Sequence, residues 1–296
     1  MGAAPGKDHR FRKSRDMSYL IVSDSSSNIL KMSGANYKTV PLHIMLGSED
    51  WPDTQDTDLS LFDRALDSFR GKTASSCPSP DEWVNAFEDT ENVFCITISS
   101  GLSGSFNSAM SAKHIYEEHH PGRKVYVLDS LATGPRMVLM IRFLQEQIAQ
   151  GTDFETAYKK TLEYRDQTGL LFTLQSIQML ANAGRVSPLI AKAIGILDMR
   201  LIGQASEAGT IQVVGKNRGY KKSLLGTFKQ MLNMNYDGGR VVISHNRNEQ
   251  AANELAAMIR EKFSDAMIDI HRTTVLCSYY AEKGGFIIGF EKAKVR

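Results

Sequence analysis

The sequence predicts a two-domain α/β fold. An N-terminal, mostly parallel sheet with helices on both faces is followed by a second α/β domain with an antiparallel hairpin. Three observations predict it. Short β-prone runs alternate with helical patterns through the first half, the order that builds βαβ units. One such run, Val93 to Ile98, stops at the turn Ser99-Ser100-Gly101-Leu102-Ser103-Gly104-Ser105, and a helical pattern starts at Phe106. Beyond about residue 166 the pattern changes, and two β-prone runs flank Ser206-Glu-Ala-Gly209-Thr.

In chain order, residues 1–16 come first, with Lys7, Arg10, Arg12, Lys13 and Arg15 and almost no apolar periodicity. They lack the apolar centre of a secretory signal and read as a disordered extension or an appended leader, with Met17 a natural start. Tyr19 to Val22 is a strand running into Ser23-Asp24-Ser25-Ser26-Ser27-Asn28. Thr39 to Leu46 reads as one strand, with Pro41 setting an edge position or an early bend. After the acidic turn region 47–58, Leu59, Phe62, Leu66 and Phe69 mark an amphipathic helix. The loop Gly71 to Pro80 ends in a helix start: Ser79 as N-cap, Pro80 at the first position and Glu82 completing a capping box. Trp83, Val84 and Phe87 supply that helix's buried face. The Val93 strand, its turn and a helix to about Glu118 follow, then a strand from Val125 to Leu128 ending at Asp129-Ser130. A helix from Thr133 to Gln150 stops at Gly151.

Thr152 and Glu155 read as a second capping box, opening a helix to about Thr168. The domain boundary falls between Thr161 and Leu170, giving domains 17–165 and 166–296. Leu170 to Leu174 is a strand, 176–183 a helix, Gly184-Arg185 a turn, and Pro188 to Leu197 another helix. The hairpin pairs Met199 to Gln204 with Ile211 to Val214. Helices at 221–234 and 248–263 alternate with strands at 240–244 and 266–270, and two last strands are expected at 274–278 and 285–290.

Composition excludes several classes. A net charge of +2 provides no basic field for nucleic acid or acidic membrane, and no apolar run reaches the roughly 18–20 residues of a membrane span. Cys77, Cys95 and Cys277 have neither metal-ligand spacing nor an even count for a disulfide framework, which fits a reducing cytoplasm. The seven histidines are scattered, so no metal site is expected. There is no phosphate-binding G-x-x-x-x-G-K-[ST] loop, and Gly101-x-x-Gly104 lacks the three-glycine dinucleotide pattern. Gly101-Leu-Ser-Gly-Ser105 approximates a nucleophile elbow, but its second glycine stands one residue early.

What remains is hydroxyls, in three loops: Ser23 to Ser27, Ser75 to Ser79, and Ser99 to Ser105. The first and third follow strands, and in a parallel sheet such strand ends share one edge. Helix starts there offer unpaired N–H groups and a dipole that favours negative charge, so the expected ligand presents oxygen atoms.

Ser75-Ser-Cys-Pro-Ser79 followed by Ile98-Ser-Ser-Gly-Leu-Ser-Gly-Ser-Phe106 resembles the paired signature of the DegV family of fatty-acid-binding proteins. Asp24-Ser25, Asp129-Ser130 and Gly184-Arg185 fall where that family has similar pairs, and the resemblance runs over essentially the whole chain from Met17. It implies a long-chain fatty acid held between two domains. The carboxylate would sit on Ser75, where the family usually has threonine, and on Ser100, with Ser76, Ser99 and Gly101 completing the loops. Asp24 and Ser25 would be head-group neighbours. Some members are acyl-carrying subunits of a bacterial fatty acid kinase. There a separate ATP-binding partner phosphorylates the carboxylate, and the acyl phosphate enters phospholipid synthesis. The resemblance thus implies a cytoplasmic module with no catalytic residue of its own, no metal and no cofactor besides the bound acid. About 15 methylenes would contribute roughly 12 kcal/mol gross, so the head site sets orientation more than strength.

Where the family usually has a histidine and Gly-Pro-Gly, this chain reads Ser278-Tyr-Tyr-Ala-Glu-Lys-Gly-Gly-Phe286, and Tyr279 or Tyr280 is the phenol that would fill the space. Arg185 and Arg218 are candidates for a partner-facing surface. Two other readings stand beside this one: an enzyme acting on a small acyl or phosphorylated substrate with Ser100 or Ser103 as nucleophile, and a module for a different amphiphile.

Overall fold

A computed structural model describes residues 19–33, 36–187, 190 and 198–293 of the chain. Residues 1–16, and all but Ile190 of the helix expected over 188–197, lie outside the described residues. The first lobe contains β1 (Tyr19–Asp24), β2 (Tyr37–Val40), β3 (His43–Leu46), β4 (Glu49–Pro52), α1 (Leu59–Ser68), β5 (Thr73–Ser76), α2 (Pro80–Phe87), β6 (Asn92–Thr97), α3 (Ser105–His119), β7 (Lys124–Asp129), α4 (Pro135–Ala149) and α5 (Phe154–Asp166). Its parallel sheet has the order β2-β1-β6-β7. Alternate residues of each strand face opposite ways, so both faces need an apolar cover. Tyr19, Ile21, Phe94 and Ile96 pack on Met137, Leu144, Phe154 and Tyr164 of α4 and α5. Leu20, Val22, Val93 and Cys95 pack on Trp83, Phe87, Ala109 and Tyr116 of α2 and α3.

The expected strand Thr39 to Leu46 is two strands in two sheets. Pro41 has no N–H to continue the ladder, and Leu42 N turns aside to donate to Ser25 Oγ (3.0 Å). β3 then joins an antiparallel sheet of order β4-β3-β5. Within the stretch expected to be a loop, Thr73–Ser76 is therefore a strand, with Ser75 opposite Ile44. It carries too few apolar residues for periodicity to reveal it.

The second lobe contains β8 (Thr168–Leu174), α6 (Gln178–Asn182), β9 (Met199–Ala205), β10 (Ile211–Arg218), α7 (Tyr220–Asn233), β11 (Val241–His245), α8 (Glu249–Lys262), β12 (Ile268–Arg272), α9 (Val275–Ala281) and β13 (Phe286–Glu291). Its mixed sheet has the order β10-β9-β8-β13-β11-β12, with β11 and β12 parallel and the other pairs antiparallel. Leu224, Phe228, Leu255 and Ile259 of α7 and α8 cover Leu171, Ile243 and Ile288 on one face.

α4 touches strands of this sheet as well as its own. It lies between the two sheets, which is why Met137 through Ile141 are all buried, a pattern that a one-sided surface helix does not show. Arg136 at its start is buried too, donating to Thr168 Oγ1 (2.9 Å) and Arg165 O (2.7 Å), and burial lowers its pKa to about 10. Arg247 and Arg272 of the second lobe pair with Asp67 and Asp63 of α1.

Two further expectations need correction. The N-cap of α5 is Asp153, accepting from Thr156 N (3.0 Å), and not Thr152, whose hydroxyl turns to Gln147. The strand expected over 274–278 is the helix α9. Thr273, Thr274 and Val275 favour a strand locally, and a tertiary contact overrides them. The buried carboxylate of Asp53 accepts from Val275 N (2.8 Å), Leu276 N (3.2 Å) and Thr274 Oγ1 (3.0 Å), which satisfies donors that a helix start leaves open.

Burial raises the Asp53 carboxyl from its ordinary 3.8 to about 6 despite these bonds. A raised folded-state value means stability that is full below about 3.8 and lost as pH rises through about 6. Relative to the non-titrating Asp53→Asn variant, the wild type should therefore lose on the order of 1 kcal/mol between pH 5 and pH 7. Denaturant melts of both proteins at the two pH values check this; a pH-independent difference would refute it.

Candidate functional site

A cavity of about 320 Å³ lies between the lobes. That is at the small end of the range for ligand pockets, about 300–1,000 Å³. Its two ends differ. Leu170, Phe172 and Leu174, which share one face of β8, and Ile287 of β13 form an apolar wall, and these residues are buried. Ser75, Ser76 and Gly104 line the other end and are exposed, with Ser103 half-buried beside them. Among the described residues, Arg185 is the only charged group in the lining, and no histidine or carboxylate joins it.

The polar rim is built by two elements that the sequence pattern did not reveal. Thr73 and Ser75 alternate along β5 and so share a face. That face meets consecutive tyrosines of α9: Thr73 Oγ1 lies 2.6 Å from Tyr279 OH, and Ser75 Oγ lies 2.7 Å from Tyr280 OH. Tyr280 lines the cavity, whereas Tyr279 is buried away from it, with its pKa raised by burial. Adjacent residues of a helix point about 100° apart, so only one of the pair can face the ligand.

The turn after β6 divides its serines similarly. Ser99 is buried, and its hydroxyl donates to Gly209 O (2.7 Å) in the β9–β10 turn. Gly209 has φ +70°, and a Cβ there would stand 2.1 Å from Ser99 Oγ, so glycine is needed both for conformation and for approach. Ser100 is exposed; its N–H donates to Asp129 Oδ1 (3.2 Å), and among the described residues its hydroxyl has no bonding partner. Gly101 is exposed and outside the lining, while Leu102, Ser103 and Gly104 are in it. Ser103 Oγ also accepts from Ser105 N (3.3 Å) at the start of α3.

Asp24 and Ser25 stand outside the lining as buried struts. Asp24 accepts from Ser26 Oγ, from Ile98 N (2.8 Å) and from Ser105 Oγ (2.7 Å), joining the ends of β1 and β6 to α3. Burial outweighs those bonds and raises its pKa. Arg185 sits at the rim, where its Nε donates to Leu102 O (2.5 Å). Arg218 is exposed at the end of β10. Cys77 and Cys277 both line the cavity, and burial pushes the Cys277 thiol up to about 12, so it stays neutral. All three cysteines are free. Among the described residues there is no His/Cys/Asp/Glu cluster able to hold a metal, and no helix is long and apolar enough to cross a membrane.

Of the residues expected from the sequence, Ser75, Ser76, Tyr280 and Arg185 line the cavity, whereas Ser99, Ser100, Gly101 and Tyr279 do not; the pairing of Ser75 with Tyr280 was not foreseen. The alternation of Thr73 with Ser75 was the available signal for a strand.

A family model described as "Uncharacterised protein, DegV family" matches residues 18–293. A DegV domain-containing protein of Streptococcus gordonii is 36% identical over 279 residues, 93% of this chain and 99% of that protein. The Streptococcus pneumoniae Fatty Acid Kinase (Fak) B3 protein loaded with linoleic acid is 37% identical, with a TM-score of 0.91 over 93% of this chain and 99% of that one. A DegV family protein from Eubacterium eligens loaded with heptadecanoic acid is also 37% identical, with a TM-score of 0.90 over 93% and 100%.

Gly209→Ala should destabilise the protein by about 2 kcal/mol, combining a left-handed strain with displacement of Ser99. Ser99→Ala should cost about 1 kcal/mol. Thermal melts measure both, and hydrogen exchange at 206–210 should accelerate in each variant; unchanged exchange would show that this contact does not hold the turn.

Proposed function

This chain belongs to the DegV family, and we propose that it binds a long-chain fatty acid between its lobes. The carboxylate sits at the hydroxyl rim and the tail lies along the apolar wall. The observation that carries this is a single cavity with an exposed polar end and a buried hydrocarbon end. The similar proteins of E. eligens and S. pneumoniae were loaded with heptadecanoic and linoleic acid. Residues 17–165 carry the hydroxyl loops, and residues 166–296 close over the ligand.

Ser75, Ser103 and Tyr280 provide hydroxyl donors at the rim, and the exposed hydroxyl of Ser100 stands on the same turn as Ser103. Hydrogen bonds to a charged carboxylate are the strong kind, and the start of α3 adds a favourable dipole, so no lysine is required. Tail burial supplies most of the affinity. The exposed rim leaves the carboxylate open to a second protein. We take that protein to be an ATP-binding kinase subunit that phosphorylates the acid, with Arg185 and Arg218 facing it. On this reading the chain presents a substrate and catalyses nothing itself. A lining without histidine among the described residues does not favour Ser100 or Ser103 as nucleophiles. The three free thiols support a reducing, cytoplasmic setting.

Native mass spectrometry of the protein purified from bacteria should show one co-purified long-chain fatty acid per chain. Ser75→Ala and Ser100→Ala should each weaken palmitate binding about two- to tenfold, the worth of one hydrogen bond, without shifting the melting temperature. Purified protein that carries no lipid and fails to bind palmitate or oleate would end the proposal.

A further inference from the structure

We infer that Phe172, lying flat over Gly203, is the movable wall that sets how long an acyl chain the cavity accepts. The inference rests on the fatty-acid reading above and assigns that site its selector. Phe172 of β8 stands directly opposite Gly203 of β9. A Cβ on Gly203 would lie 2.0 Å from Phe172 Cζ and 2.2 Å from Cε2, so the ring occupies the space a side chain would fill. Phe172 also lines the cavity. The ring lies down across β9 only because residue 203 has no side chain, and the cavity is open above it for the same reason.

The same sheet holds a control for the alternative that this is ordinary packing. Gly169 of β8 stands opposite Phe290 of β13, and a Cβ there would lie 2.5 Å from the Phe290 ring. That ring faces the core beside Tyr236 and does not line the cavity. Two phenylalanines thus cover two glycines, one against the interior and one against the ligand space. Only the second pair can bear on the ligand.

An alanine at 203 must drive the ring from 2.0 Å out to at least 3.4 Å, ordinary contact, and with the β9 strand beneath the ring the cavity it lines is the direction of yield. Each methylene then excluded weakens binding about fourfold.

The test compares stearate with laurate by competition against a fluorescent acid, for the wild type, Gly203→Ala, Gly169→Ala and the double variant Gly203→Ala/Phe172→Leu. In Gly203→Ala, stearate should weaken tenfold or more relative to laurate. The double variant, which shrinks the ring, should recover most of that ratio. Gly169→Ala should lower the melting temperature and leave the ratio within twofold of the wild type. A Gly203→Ala ratio that stays within twofold of the wild type, or a double variant that does not recover, overturns the wall. If Gly203→Ala fails to fold, Phe172→Leu alone decides: a ratio moved further toward stearate over laurate supports the wall, and an unmoved one overturns it. A wild type that binds neither acid overturns the fatty-acid reading instead, and the two failures are distinguishable on that ground.

Discussion

One carboxylate holds the binding arrangement together. Asp53 ends a small antiparallel sheet in the first lobe, yet the helix it caps, α9, comes from the far end of the chain. Removing a carboxylate from water is costly, and the raised pKa of Asp53 is the residue of that cost after its hydrogen bonds are counted. In return α9 is fixed against Leu42, Ile44, Trp51 and Phe62. Once it is there, Cys277 and Ala281 face the cavity, Tyr280 meets Ser75, and Tyr279 meets Thr73. The cavity's rim and part of its wall both follow from that placement.

Polar and apolar parts of the site divide the work of recognition. Hydroxyls are weak donors individually, and at an exposed rim they exchange bonds with water, so they discriminate orientation more than they add affinity. The buried face of β8 offers the opposite: much transfer free energy and little direction. A ligand with one ionised end and a long hydrocarbon tail uses both. The neutral Cys277 thiol along the wall is compatible with a hydrocarbon neighbour.

Features set by near neighbours in the chain were legible in the sequence. The capping box of Ser79 and Glu82 forms as expected, with Ser79 N donating to Glu82 Oε2 (2.7 Å). The β9–β10 hairpin and the alternating strands of both sheets were likewise visible, because their periodicity is local. α9 was not, because a short run of Thr, Val and Leu fits strand or helix equally, and a residue more than two hundred positions away decides. The site shows the same limit. A cluster of serines marked the right loops, but hydroxyl type alone cannot separate Ser99, turned to the hairpin, from Ser103, turned to the cavity. That distinction belongs to the direction of each Cα–Cβ bond, which depends on how the turn is wound.

The burial of α4 between the sheets bears on kinetics. A clamshell that opened by rotating one sheet away from the other would strip the apolar cover from Met137 through Ile141 and unpair Arg136 from Thr168. Rigid hinge motion would therefore cost the transfer free energy of that apolar surface. The contacts of Ser99 with the Gly209 turn and of Arg185 with Leu102 are few by comparison, so a local breach there costs less than a hinge motion. Residence time then depends both on how often those few hydrogen bonds open and on how much tail burial is given up on leaving.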